Sequence, residues 1–218
     1  MDHNSYGIRL TDTTDGRSKA NMLISRMYAW RGYRAHELTD DPNRITLTAT
    51  DKGEVVGTLS IGIDSPAGLM ADQVYREELD ARRARGARLC EVTRLAFAPS
   101  VRSKVSLANL FHLAVIYARD LHGCTDAVIE VNPRHRRFYQ SMLGFQQLGG
   151  MKINARVNAP SYLLHIDLAF VTAQIEQHGG TYEAGNPVSR RSFYPYFFSQ
   201  REERGIINRL LRMDEDGR

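Results

Sequence analysis

Cysteine is scarce in this sequence, and so are the motifs that would point at once to a familiar chemistry. The 218 residues hold only Cys90 and Cys124. Both lie inside apolar, β-compatible runs, which favours buried thiols in a reducing compartment over a disulfide framework or a thiolate metal site. No apolar run reaches the length of a bilayer span, and the polar stretch Met1–Gly16 has no signal-peptide core, so a cytoplasmic location is expected. Metal-ligand spacings, a Gly-x-Ser-x-Gly turn, a phosphate-binding glycine loop and internal repeats are all missing. Strong charge of one sign is missing too. A net charge of +4 favours an acidic partner surface but is too small to argue for nucleic acid. Hydrophobic residues at 42% and charged ones at 25% exclude a disordered chain, and the length suits one sizeable domain with an appendage.

What is present is organised around Leu89–Phe145. Leu89-Cys90-Glu91-Val92-Thr93-Arg94-Leu95-Ala96-Phe97 reads as a strand that ends before Pro99, which cannot donate to a ladder. Glu91 and Arg94 are its anomalies. Under strict alternation they face opposite sides of a sheet and meet only if a bulge adds a residue; the alternative is an ordinary internal or solvated pair. Leu107, Leu110, Phe111, Ala114, Val115, Ala118 and Leu121 then recur at helical spacing, with Ser103 as cap and Gly123 past the end. Thr125–Val131 is a second strand, so a right-handed parallel crossover is expected. Asn132-Pro133 breaks it and opens a helix, Arg134–Leu143, closed by Gly144.

Upstream, Ala20, Leu23, Ile24 and Met27 mark one face of a helix running to about Trp30. Arg44–Thr50 and Val55–Ile63 flank a turn and predict a hairpin, with Gly57 and Gly62 expected at bulges or bends. Asp64 at its end is a candidate partner for Arg94 and Arg26. Ala71–Ala84 is a further helix, whose basic tail, Arg82, Arg83, Arg85 and Arg88, is either a solvated face or a docking patch. Downstream, Ser161–Leu168 reads as a strand with a structural His165. A linker from Gly179 to Val188 leads to the aromatic cluster Phe193–Phe198. Ser199 and Glu202 then have capping-box spacing before a helix with an apolar stripe, Ile206, Ile207, Leu210 and Leu211. That stripe is expected to pack over the domain, with a dimer contact or membrane-surface docking as alternatives.

The run Val131-Asn132-Pro133-Arg134-His135, followed by Phe138-Tyr139 and Leu143-Gly144-Phe145, resembles the second signature of the GNAT acyltransferase superfamily. Glu91-Val92-Thr93-Arg94-Leu95-Ala96 is similar to the Glu-x-(Ser/Thr)-Arg strand of acyl-homoserine-lactone synthases. With Arg156-Val157-Asn158-Ala159-Pro160 and Arg31-Gly32-Tyr33, the chain is most similar to the long-chain N-acyl amino acid synthases. The resemblance covers about Arg17 to Leu168. It implies an α/β (α+β) GNAT-like fold, a central mixed twisted sheet flanked by helices with a C-terminal helical extension. The implied division is a flexible N-terminus at 1–16, an N-acyltransferase domain at 17–170, and a linker with an aromatic and helical extension at 171–218.

One departure from that pattern bears on the donor. Coenzyme A-dependent GNAT enzymes carry a glycine-rich turn after the fourth strand, whose N–H groups hold a pyrophosphate at a helix N-terminus. Here Pro99-Ser100-Val101-Arg102-Ser103-Lys104-Val105-Ser106 has no glycine, so a close backbone approach to phosphate is crowded. The resemblance then implies a donor acyl group on the phosphopantetheine of an acyl carrier protein, with no bound cofactor. Arg102 and Lys104, with Arg134 and Arg137, are the candidate contacts for that partner, or else ordinary solvated charges.

Amide formation needs a neutral amine, so a base near the thioester helps. Glu91 is the candidate base, if burial raises its pKa. The strand backbone around Arg94, Leu95 and Ala96 is the candidate holder of the carbonyl oxygen. Tyr139 occupies the position that assists the leaving thiolate in the resembled enzymes, or else is a buried structural tyrosine. Arg94, Arg31 and Arg156 are alternative forks for the carboxylate of an amino acid acceptor. In the resembled families the segment after the first helix borders the acyl and acceptor pockets, so Trp30 and Tyr33, with Tyr28, are candidate gate residues, or else core or surface packing. Expected partners are thus an acyl carrier protein and an amino acid, with no nucleic acid, peripheral membrane contact through the C-terminal segment, and a monomeric or homodimeric state. The competing readings are an acyl-homoserine-lactone-type synthase and a non-catalytic acyl-binding module.

Overall fold

The computed structural model describes residues 7–11, 14–29, 41–99, 103–183 and 187–216. Strands β1 (Gly7–Leu10), β2 (Arg44–Asp51) and β3 (Glu54–Ile63) pair as an antiparallel meander. The β2–β3 hairpin turns at Lys52 and Gly53, whose positive φ angles of 50° and 80° suit the right-handed twist of the flanking strands. β4 (Leu89–Phe97) joins β3 antiparallel, and β5 (Asp126–Val131) joins β4 parallel, as the crossover predicts. β8 (Ala159–Asp167) pairs antiparallel with β5, and β6 (Gln146–Gln147) and β7 (Lys152–Asn154) pair with β8. The result is the expected mixed sheet, in the order β1-β2-β3-β4-β5-β8-β6.

Helices cover both faces. On one lie α1 (Thr14–Ala29), buried through Leu23, Ile24 and Met27 against Ala96 and Ala98, and α2 (Asp72–Arg83), whose Tyr75 and Leu79 pack on Leu89, Val128 and Leu163. On the other lie α3 (Lys104–Ile116), prolonged by a π-helical turn Tyr117–Leu121, α4 (Pro133–Leu143) and α5 (Leu168–His178). Caps follow the sequence. The Ser103 hydroxyl accepts from the Ser106 N–H and Asn132 from the Arg134 N–H, while Gly144 closes α4 at φ 87°.

The C-terminal segment comprises α6 (Pro187–Arg191), a 3-10 turn Tyr194–Tyr196 and α7 (Gln200–Asp216). It packs back over the α3 face through Phe193, Tyr194 and Phe197, all buried, at a gain of about 2 kcal/mol per aromatic side chain. Ser199 and Glu202 form the expected reciprocal cap, with the Ser199 N–H donating to Glu202 Oε2 at 2.9 Å. Among the described residues no helix is long and apolar enough to cross a membrane.

Five expectations are corrected. Gly7–Leu10, placed in a loose N-terminus, pairs with Leu47–Thr50 of β2. Residues 168–178, read as the end of a strand and the start of a linker, form α5, whose start is capped by Asp167 accepting from the Ala169 N–H at 2.7 Å. Gly62 sits in regular pairing between Arg44 and Glu91, and its missing side chain makes room for the Arg44 guanidinium, 3.1 Å from where a Cβ would stand. Finally, half of the basic tail of α2 is consumed inside the fold, while Arg85 and Arg88 are exposed. Arg83 binds Asp64, Asp72 and Asp80, each at 2.7 Å, and Arg82 reaches His165 at 3.0 Å. Asp64 therefore answers Arg83 and not the Arg94 and Arg26 pair expected for it, and His165, 2.6 Å from Asp126, is structural as expected.

Candidate active site

A single inserted residue creates the site. Across from β3, Ser60 pairs with Thr93 and Thr58 with Ala96, so one residue of β3 faces two of β4, Arg94 and Leu95. Arg94 takes the left-handed conformation at φ 53°, costly for a side chain with a Cβ. The Thr58 hydroxyl secures it, donating to the Arg94 carbonyl at 2.9 Å. The bulge swings the end of β4 outward. Pairing with β5 accordingly runs only from Leu89↔Asp126 to Val92↔Ile129, although the strands continue to Phe97 and Val131. A pocket of about 200 Å³ opens where they part, and both Glu91 and Arg94 line it.

Glu91 is fully buried in its wall. Oε2 accepts the Met70 N–H at 2.8 Å, just before α2, while Oε1 has no hydrogen-bond partner among the described residues. Burial pushes its carboxyl up to about 7, against the pull of the nearby Arg44 and Arg156 charges and the Met70 N–H. Burial, reinforced by the Arg44 charge, draws the Arg94 guanidinium down from its ordinary range. Arg44 itself donates to Thr93 Oγ1 at 3.1 Å.

Across the pocket stands a second carboxylate, Glu130 of β5. It accepts from Arg156 Nη2 at 2.6 Å, Asn154 Nδ2 at 2.7 Å and the Ser161 hydroxyl at 2.7 Å. Those bonds fix the Arg156 fork, whose Nη1 is buried and makes no hydrogen bond among the described residues. Tyr28 and Ile24 of α1, His135 and Tyr139 of α4, and Leu95 also line it. Tyr139 is buried, with its ring edge-on to Phe111, Phe138 and Phe145.

Of the residues singled out in the sequence, Glu91, Arg94, Leu95, Tyr139 and Arg156 converge on this pocket. Ala96 does not line it. Its side chain lies in the cluster formed with Leu23, Ile24 and Met27, because the bulge turns it toward α1. Lys104 stands 5.9 Å over the Tyr196 ring, and Arg134 and Arg137 are exposed on α4, with Arg134 donating to His135 at 3.1 Å. Trp30, Arg31, Tyr33 and Arg102 lie outside the described residues. Sequence reasoning missed Glu130 and Arg44. The first had a signal, as the one charged residue within Ala127–Val131; the second, at a strand start beside a turn, had none.

A second, apolar cavity of about 30 Å³ lies on the α3 face, and Val92 lines both spaces. Among the described residues there is no group of three metal-ligating side chains.

Comparison with known proteins agrees with this geometry. A search of curated proteins finds no match. Among solved structures, FeeM, an N-acyl amino acid synthase from uncultured soil microbes, is similar at 30% identity and a TM-score of 0.70, over 76% of this chain and 92% of that one. The acyl-homoserine-lactone synthase LasI shares the fold at 15% identity and a TM-score of 0.53, over 76% and 90% of the two chains. An acyl-CoA N-acyltransferase from Pseudomonas aeruginosa does so at 14% identity and a TM-score of 0.51, over 75% and 99%. The family model described as N-acyl amino acid synthase FeeM matches residues 19–167, a span that takes in the bulged strand, both carboxylates and the Arg156 fork. The chain therefore belongs to the FeeM family of N-acyl amino acid synthases and is an N-acyltransferase.

Proposed function

We propose that the enzyme transfers a long-chain fatty acyl group from an acyl carrier protein to the α-amine of an amino acid in the cytoplasm, releasing an N-acyl amino acid. The observation that carries this reading is Glu91: a buried carboxylate held near 7, with one oxygen fixed by Met70 and the other without a hydrogen-bond partner among the described residues. An amine is nucleophilic only when neutral, and a base titrating near the working pH is matched to removing its proton. Glu91 Oε1 takes that proton, directly or through a water, as the amine nitrogen bonds to the thioester carbon. The negative charge on the carbonyl oxygen is met by an N–H that the β4 bulge leaves outside the ladder. Collapse breaks the carbon–sulfur bond, and Tyr139 is the group we assign to protonate the departing thiolate.

Arg156 is the fork we assign to the acceptor carboxylate, since Nη1 is buried without a hydrogen bond among the described residues while Nη2 is tied to Glu130. For the donor, the support is the turn from Pro99 to Ser106, which offers no glycine for a pyrophosphate. The test is mass spectrometry of lipids from cells making the wild type or Glu91→Gln, followed by turnover assays with acyl carrier protein and coenzyme A thioesters of the same chain. A new N-acyl amino acid that vanishes in the variant, and faster turnover of the carrier-protein thioester, is the expected result. Equal lipid profiles would move the weight to a non-catalytic acyl-binding role, and faster turnover of the coenzyme A thioester would overturn the donor assignment.

A further inference from the structure

The apolar cavity on the α3 face has an unusual floor. Its bore is made by Ala114, Val115 and Ala118, which fall on one face of α3 and its π-helical turn, and the two alanines leave the space open. Its lining includes Val92, the last β4 residue paired to β5 and also part of the catalytic pocket wall. Tyr194 and Phe197 line it as well. These two residues belong to the C-terminal segment, outside the family match at residues 19–167.

We propose that this segment is the end wall of the acyl channel, and that Tyr194 and Phe197 set the longest chain the enzyme accepts. The inference rests on the acyl transfer proposed above and adds the residues that determine its length selectivity. An apolar space in a close-packed core gives water no partners and is suited to methylene groups. A chain whose thioester lies beside Glu91 would run past Val92, between Ala114 and Ala118, and stop at the two rings.

For a length gauge the wall must be held in place, and several contacts hold it. The Tyr194 hydroxyl donates to the Leu143 carbonyl at 2.6 Å, and the Phe193 N–H to the Met142 carbonyl at 2.9 Å. The two rings meet edge to face at 5.1 Å. Behind them the buried His112 ring is stacked with Phe197 at 4.8 Å and Phe198 at 5.1 Å. Its Nδ1 accepts the Phe198 N–H at 2.9 Å, which leaves the proton of the neutral ring on Nε2, 3.3 Å from Glu203 Oε1. Arg119 closes the latch, 2.7 Å from the same oxygen.

The experiment uses the full chain and acyl carrier protein loaded with a graded series of saturated chains, with a mixture of amino acids as acceptors. Phe197→Leu lowers the wall and should move the preferred donor to a longer chain; Ala118→Leu fills the bore and should move it to a shorter one. Each shift should change the ratio of rates for donors differing by two methylenes on the order of tenfold. If Phe197→Leu does not fold, Val171→Ala, which opens the same cavity by less, carries the same expectation. Thermal shifts with the matching acyl-pantetheine thioesters report chain preference without turnover. Opposite displacements of the binding optimum in the two variants, with no donor turned over by the wild type, would sustain the wall and sink the acyl-transfer reading. An unchanged order of donors in both variants, or displacement in the same direction, overturns the wall.

Discussion

Replacing Glu91 by Gln should make the enzyme more stable at alkaline pH and nearly inactive. Glutamine matches glutamate in shape and can still accept the Met70 N–H but cannot ionise. In the wild type the folded carboxyl sits at about 7 against an ordinary 4.5, because burial penalises the charge. The folded state therefore binds this proton more tightly than the unfolded chain does. Its stability is complete below pH 4.5, falls between 4.5 and about 7, and is constant above that range. The whole displacement corresponds to about 3 kcal/mol. Urea unfolding of both proteins should give the same stability near the acidic end of that window and a gap of up to about 3 kcal/mol in favour of Glu91→Gln above it. Wild-type kcat/KM should rise with pH through about 7, as the base ionises, while the variant is slower by roughly a hundredfold or more at its plateau. Parallel stability-versus-pH curves for the two proteins would refute the buried, proton-holding carboxylate. Wild-type turnover by the variant would refute its role as base.

Arg156→Lys keeps a charge but loses the fork. It should raise KM for the amino acid by roughly tenfold or more, with kcat and the donor KM little changed, as steady-state kinetics in each substrate would show. Arg83→Met strips the partner from Asp72, which is buried among the three carboxylates that guanidinium serves. A loss of about 3 kcal/mol in denaturant unfolding is expected, and no loss would mean the cluster is solvated. Glu203 is held down to about 2 by His112 and Arg119 despite its burial, so its contribution is present above pH 4.5 and lost as pH falls toward 2. Glu203→Gln should cost about 2 kcal/mol at neutral pH, and limited proteolysis should cut first in the C-terminal segment.

Much of the fold was legible because local chemistry and global fold agree. The Ser103 and Asn132 caps, the Gly144 stop and the Lys52-Gly53 turn each specify one backbone geometry. The strand–helix–strand order then leaves a single handed crossover. Glu91 and Arg94 were legible as anomalies, charges in a strand that should be apolar. What escaped depends on partners distant in sequence. Arg83 reads as one more exposed arginine until the fold brings Asp64 and Asp72 to it. Likewise β1 is too short to show a pattern, and exists because β2 offers it an edge. α5 is the exception. Its Asp167 cap and the spacing of Leu168, Val171 and Ile175 were available, but the preceding strand runs into the helix with no punctuating glycine or proline.

The bulge in β4 can be restated as a change of parity. Before it, odd-numbered residues look toward α1 and α2 and even-numbered ones toward α3: Leu89 packs under α2, while Cys90 and Val92 lie with α3. After it the rule inverts, and Ala96 and Ala98 face α1 while Leu95 and Phe97 join the α3 side. Glu91 and Arg94 thus share one side of the sheet, although three positions apart. Deleting a single residue here would restore regular counting through the whole strand. It would remove a strained conformation at Arg94, yet turn that guanidinium away from Glu91 and draw β4 back alongside β5. A shorter strand would thus be a better strand, and no longer an enzyme.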